Sequence, residues 1–289
     1  MNAETFTIPI PLPHAPGLNL QARLISPILD PGSSAKGPSV FVLPGSGLSD
    51  GDGNDGDIGF APLAQLAEAL GEAGFASLRF DRRGTGATGG DYVSPADELQ
   101  DFTAVLAHAA HLPEFPQPWV VVGWGEAAAW AGLLTTQQPD AIDGLILIST
   151  PTGAMGDLFP FRQTTEEAMA ATPPDEHPAL LKRLVDDYAS RSPLFMFKPI
   201  FQIAVPLLIL HGDMDWVCPV FCSRQLAGEL ERRQQGPSDW IYRELSGLDR
   251  WLIRTDRWRS LTEQQQPHWR IDMGAVDILV DWLTQKFRV

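Results

Sequence analysis

Strand–helix alternation over most of the 289 residues predicts an α/β fold, a doubly wound, mostly parallel sheet with a small cap insertion. Three observations carry this. Runs such as Ser39–Leu43 (SVFVL) and Gly144–Ile148 (GLILI) are unbroken and apolar, as suits strands covered on both faces. Helical spacing of apolar residues follows most such runs across short links. The rhythm breaks once, in Pro-rich sequence between Pro151 and Ile203.

The elements follow in order. Thr5–Ile10 and Leu18–Ser26 are edge hairpin strands separated by Pro and Gly. Ser39–Leu43 is the first core strand. Ala61–Gly71 is a helix, with Leu63, Leu66, Ala67 and Leu70 on one face. Phe75–Phe80 is a strand and Pro95–Ala110 a helix carrying Leu99, Phe102, Val105 and Leu106. Trp119–Val122, Glu126–Thr136 and Gly144–Ile148 continue as strand, helix and strand. Short helices are expected at Thr165–Ala170 and Pro178–Tyr188. The alternation then resumes with Pro206–Leu210 (strand), Pro219–Arg232 (helix), Ile241–Leu245 (strand) and Met273–Lys286 (helix). Residues 1–150 and 204–289 are expected to form the core, and 151–203 the cap.

Composition narrows the function. Lys and Arg number 21 against 36 Asp and Glu, a formal charge of −15. Such a surface repels phosphate backbones, so no nucleic acid is expected as a partner. No apolar run reaches the length of a membrane span and no signal peptide is visible, so no membrane association and a cytoplasmic location are expected. Two cysteines, Cys218 and Cys222, make neither a disulfide framework nor a zinc site, and no metal or other cofactor is expected.

Two glycine-rich loops follow core strands. Pro44-Gly45-Ser46-Gly47 lets the backbone approach a ligand, and the Ser46 N–H is a candidate oxyanion donor. The adjoining Asp50–Asp57 run has calcium-loop spacing at Asp50, Asp52 and Asn54. Asp55 and Ala61 stand where glycine and glutamate are required, so carboxylates capping nearby N–H groups are favoured. In the second loop Gly84, Gly86 and Gly89 match G-x-G-x-x-G but open no helix. Asp81 and Arg83 are expected to tie that loop by charge-assisted hydrogen bonds.

The most informative stretch is Val120-Val121-Val122-Gly123-Trp124-Gly125-Glu126-Ala127. A buried strand ends in small residues and a helix begins at once, the frame of a G-x-S-x-G elbow. Gly125 occupies the nucleophile's place and has no attacking atom. The Glu126 N–H still faces a developing anion.

With this elbow, the chain resembles the α/β-hydrolase family, in its serine-esterase and S33-like branch. The resemblance rests on 44–54 (PGSGLSDGDGN), 74–86 (GFASLRFDRRGTG), 123–127, 206–219 (PLLILHGDMDWVCP) and 245–252 (LSGLDRWL), and spans 39–289. It implies Asp215 as the acid, the N–H groups of Ser46 and Glu126 as oxyanion donors, Gly125 at the nucleophile position and Arg250 at the base position. The family has histidine at that last place. Arginine has no acceptor and stays protonated, so it is no general base. An Asp215–Arg250 ion pair is expected, and Trp124 and Trp216 are expected to wall a pocket. No other residue completes a triad; His211 is read as structural, while His268 is a remote candidate to enter the cavity.

The implied function is binding of a small, partly apolar ligand without acyl-enzyme hydrolysis. A lyase, cyclase or decarboxylase using the oxyanion hole is the first alternative. Weak, water-mediated ester hydrolysis is the second, and a purely structural or interaction subunit the third. Whether the chain is an enzyme stays open, as do a protein partner and a homo-oligomer.

Overall fold

The computed structural model describes residues 3–27, 37–45, 49–54, 59–152, 155–191, 198–232, 237–264 and 266–287. One eight-stranded sheet organises them. Its strands are β1 (Ala3–Pro11), β2 (Asn19–Pro27), β3 (Ser39–Leu43), β4 (Ser77–Phe80), β5 (Trp119–Trp124), β6 (Gly144–Ile148), β7 (Leu207–Gly212) and β8 (Trp240–Leu245). The spatial order is β1-β2-β4-β3-β5-β6-β7-β8. The β1–β2 and β2–β4 pairs are antiparallel, and every later pair is parallel. Pro9 and Pro11 lie in β1, at the sheet margin, where a missing N–H costs least.

The helices are α1 (Pro62–Glu72), α2 (Pro95–Ala109), α3 (Ala127–Gln137), α4 (Met155–Ala170), α5 (His177–Arg191), α6 (Phe221–Arg232), α7 (Leu261–Gln264) and α8 (Met273–Phe287). Period-two alternation divides them between the two faces of the sheet. Phe41, Val121, Leu147 and Ile209 point to one side and pack with Phe102 of α2, Ala128 of α3 and Leu226 of α6. Their neighbours Val40, Val122, Ile146 and Leu208 point to the other and pack with Leu66 of α1 and Leu279 of α8. The central strands are buried throughout, which accounts for their unbroken apolar sequence. Among the described residues no helix is long and apolar enough to cross a membrane.

Most elements lie within two residues of expectation. The main difference is α4, which begins ten residues before the expected Thr165 and carries Pro160 inside it. Pro160 is six residues into the helix, where the missing N–H deprives only an early carbonyl of its partner.

The glycine loops are tied as structure. Asp50 Oδ1 accepts from the N–H groups of Asp52 and Asn54 at 2.9 and 2.8 Å, the expected capping; residues 55–58 lie outside the described residues. Asp81 and Arg83 both make charge-assisted bonds, but not to each other. Asp81 accepts from Arg23, Gly51 N and Ala87 N, and Arg83 grips Asp101 through two bonds of 2.8 Å. A Cβ at Gly86 would lie 2.4 Å from the Asp81 carboxylate, so glycine there makes room for the buried charge.

Candidate functional site

Parallel strands point their C-terminal ends the same way, and the loops leaving those ends form the site. Gly125 follows β5, Asp215 follows β7 and Arg250 follows β8.

At the end of β5 the chain turns sharply into α3. Gly125 takes φ +61°, left-handed backbone that side chains disfavour, and an added Cβ there would meet nothing within 4 Å. Gly123 is the opposite case. A Cβ there would lie 2.6 Å from Ala128 Cα and 2.7 Å from Ala127 O, so strand and helix meet closely only because both sides are small. Gly123→Ala is therefore expected to destabilise the protein by about 3 kcal/mol. A urea titration checks this, and an unchanged midpoint would contradict the close approach. The Glu126 and Ala127 N–H groups have no acceptor among the described residues and lie at the N-terminus of α3. Ser46, the other expected donor, lies outside the described residues, while its neighbour Gly45 lines the cavity beside Glu126.

Asp215 is buried, and its Oδ1 accepts from Cys218 N at 2.8 Å. Among the described residues its Oδ2 has no hydrogen-bond partner, although His211 Nε2 lies 3.2 Å away. That imidazole nitrogen is committed to Cys218 O at 2.7 Å, and Nδ1 meets Ser223 Oγ at 2.6 Å. His211 is thus a fully buried structural residue. Burial opposes its protonation, but Asp215 outweighs this and holds its pKa above the ordinary value. The ligand-capable atoms of His211, Asp215 and Cys218 lie within 4.8 Å of one another. Both His211 nitrogens are already engaged, so a metal ion would have to displace one of them.

Arg250 does not pair with Asp215. Its guanidinium lies over the Trp251 ring, 4.5 Å from the centroid. The loop is held through its backbone instead: Arg250 O accepts from Trp124 Nε1 at 2.7 Å and Ser149 Oγ at 3.2 Å. The guanidinium stands over Trp251, and the group near Asp215 Oδ2 is His211 Nε2. Burial and the neighbouring charge of Arg162 pull the Arg250 pKa down from its usual value.

Two cavities meet here. The inner one, about 210 Å³, is lined by Gly45, Ser49, Trp124, Glu126, Arg250 and Trp251 among others. The outer one, about 570 Å³, is lined by Phe159, Pro160 and Glu166 of α4, together with Val217. Phe159, Arg162, Arg250 and Leu261 line both. Arg162 and Glu126 form an ion pair across this junction.

Trp124 lines the inner cavity, with Trp251 beside it at 5.7 Å between ring centroids. Trp216, expected as a second wall, is fully buried, donates from Nε1 to Arg259 O at 2.8 Å, packs with Met169 and Leu181, and lines neither cavity. His268 is exposed against Trp269, outside both cavities. Sequence reasoning missed Arg162 and Phe159, because the residues around Pro160 gave no clear helical signal.

Residues 61–195, just under half of the chain, match the family model of the serine aminopeptidases, S33. No curated protein matches the chain. Among solved structures it resembles an esterase of Pyrococcus furiosus, with TM-score 0.63 and 16% identity over 98% of this chain and 91% of that one. A proline iminopeptidase of Mycobacterium smegmatis gives TM-score 0.60 and 13% identity over 97% and 98%. Est1E of Butyrivibrio proteoclasticus, solved with ferulic acid bound, gives 0.59 and 15% over 96% and 98%. The mostly parallel eight-stranded sheet, its flanking helices and these likenesses make the chain an α/β-hydrolase-fold protein.

Proposed function

We propose that this chain binds a small, partly apolar ligand in the cavity beside Gly125 and does not hydrolyse it through an acyl-enzyme. The observation that carries the reading is the turn at Gly125. Its backbone has the left-handed conformation of a nucleophile elbow, yet no side chain projects into the open space above it. The base position supports the same reading, since the Arg250 guanidinium cannot accept a proton. Asp215 then occupies the acid position with no base to orient, and Glu126 N–H remains as one anion donor. Ser46 N–H is proposed as the second. Trp124 is proposed as a wall of the ligand site, and the helices of 151–203 as the cap over it.

A serine-directed fluorophosphonate tests this. Intact-protein mass is expected to stay unchanged after prolonged exposure, because phosphonylation needs an activated hydroxyl. A stoichiometric adduct would overturn the reading and locate another nucleophile. Native mass spectrometry of the purified protein is expected to show a retained small molecule or, after adding one, a one-to-one complex.

A further inference from the structure

We propose that Arg250 is the anion-binding residue of this cavity, and that its ligand carries one carboxylate on a flat apolar body. The proposal rests on the ligand-binding reading above and names the chemical class of the ligand. Its basis is a charge left without a partner. Arg79, Arg83, Arg162 and Arg259 each face a carboxylate. Among the described residues the Arg250 guanidinium has no ion pair and no hydrogen bond, and it lines both cavities. Arg250 is half-buried, and a partly desolvated cation without a partner is unfavourable unless something completes it.

The surroundings define what completes it. The guanidinium lies over the Trp251 ring, on a loop whose Arg250 carbonyl is pinned by Trp124 and Ser149. A guanidinium so held offers parallel N–H donors to a carboxylate. Glu126, whose N–H has no acceptor among the described residues, lines the same inner cavity. Trp124, Trp251 and Phe159 supply flat apolar walls. A single negative charge is the matching one: Glu126 already neutralises Arg162, and Glu166 lies at the outer cavity where a second anionic group would meet it.

Titration calorimetry with three probes on the folded full chain tests the assignment. The probes are 2-naphthoate, 2-naphthamide and 2-naphthyl phosphate. Naphthoate is expected to bind one-to-one and about ten- to a hundredfold tighter than the amide, the worth of a charge-assisted hydrogen bond. Naphthyl phosphate is expected to bind no better than naphthoate. Arg250→Met, which keeps the apolar stem, is expected to abolish the preference for naphthoate while leaving amide affinity within about threefold. Arg250→Lys is expected to retain part of the preference, because charge survives without the planar fork. Equal binding of naphthoate and naphthamide, a naphthoate preference persisting in Arg250→Met, a preference for the phosphate, or no binding by any probe would each overturn the proposal. Failure of the non-hydrolytic reading is distinguishable from these. A fluorophosphonate adduct alongside an Arg250-dependent naphthoate preference would overturn that reading and keep the anion site.

Discussion

Gly125→Ser combined with Arg250→His is expected to yield a folded esterase about 100-fold faster than either single variant on a fluorogenic short-chain ester. The space above Gly125 is open, so a hydroxymethyl group fits without displacing a neighbour. The cost is the left-handed backbone, about 1–2 kcal/mol of stability for a residue with a side chain. At position 250 the backbone carbonyl is already fixed by Trp124 and Ser149, which places a new imidazole on a held loop. Asp215 Oδ2 is buried and has no hydrogen-bond partner among the described residues, the acceptor that an imidazole N–H requires. Each single substitution is expected to do little. A serine without a base stays protonated, and a histidine without a nucleophile has only water to activate. Adding Asp215→Asn to the double variant should remove most of the gain. If the unmodified protein is already as fast as the double variant, a complete catalytic set exists elsewhere. If every variant is folded and inert, the backbone around Gly125 no longer presents a carbonyl to the donors.

Sequence patterning located nearly every strand and most helices, and the reason is visible in β5. Val121 packs towards α2 and α3 while Val120 and Val122 pack towards α1 and α8, so burial on both faces leaves a continuous apolar run. The strand-end positions of Gly125, Asp215 and Arg250 were legible for the same reason, since short loops follow well-marked strands. Side-chain direction was not. Opposite charges at 215 and 250 suggest a pair, but the Arg250 guanidinium lies over Trp251 instead. Trp216 next to Asp215 reads equally well as wall or core, and only packing against Met169 and Leu181 decides for core. Arg162 was invisible because its role depends on α4 crossing the mouth of the cavity, a long-range fact that Pro160 obscured locally.

Arg259→Met is expected to cost about 3–5 kcal/mol of stability at neutral pH, because it strands a buried carboxylate. Asp249 and Arg259 are ion-paired and only 1% and 4% exposed. The same carboxylate shapes the loop that carries Arg250: its Oδ1 accepts from Trp251 N at 2.9 Å and Ile253 N at 3.0 Å. Burial outweighs the arginine and pushes the Asp249 pKa from the ordinary 3.8 up to about 6. Between about pH 4 and pH 6 the folded chain therefore holds a proton that the unfolded chain has released, and this group's contribution to stability falls as pH rises through that window. Above about pH 6 the decline stops. Asp249→Asn cannot titrate, yet its amide oxygen still accepts from Trp251 N and Ile253 N. The stability of the unmodified protein relative to Asp249→Asn is expected to decrease from pH 4 to pH 6 and then level off. The deficit of Arg259→Met should shrink at acid pH, where the stranded carboxylate takes up a proton. Combining Arg259→Met with Asp249→Asn should cost less than the two single losses added together, since neither charge is then left alone. Urea denaturation at pH 4, 6 and 7.5 checks all three. A pH-independent difference between the unmodified protein and Asp249→Asn would show that the carboxylate stays ionised throughout, with the arginine compensating its burial in full.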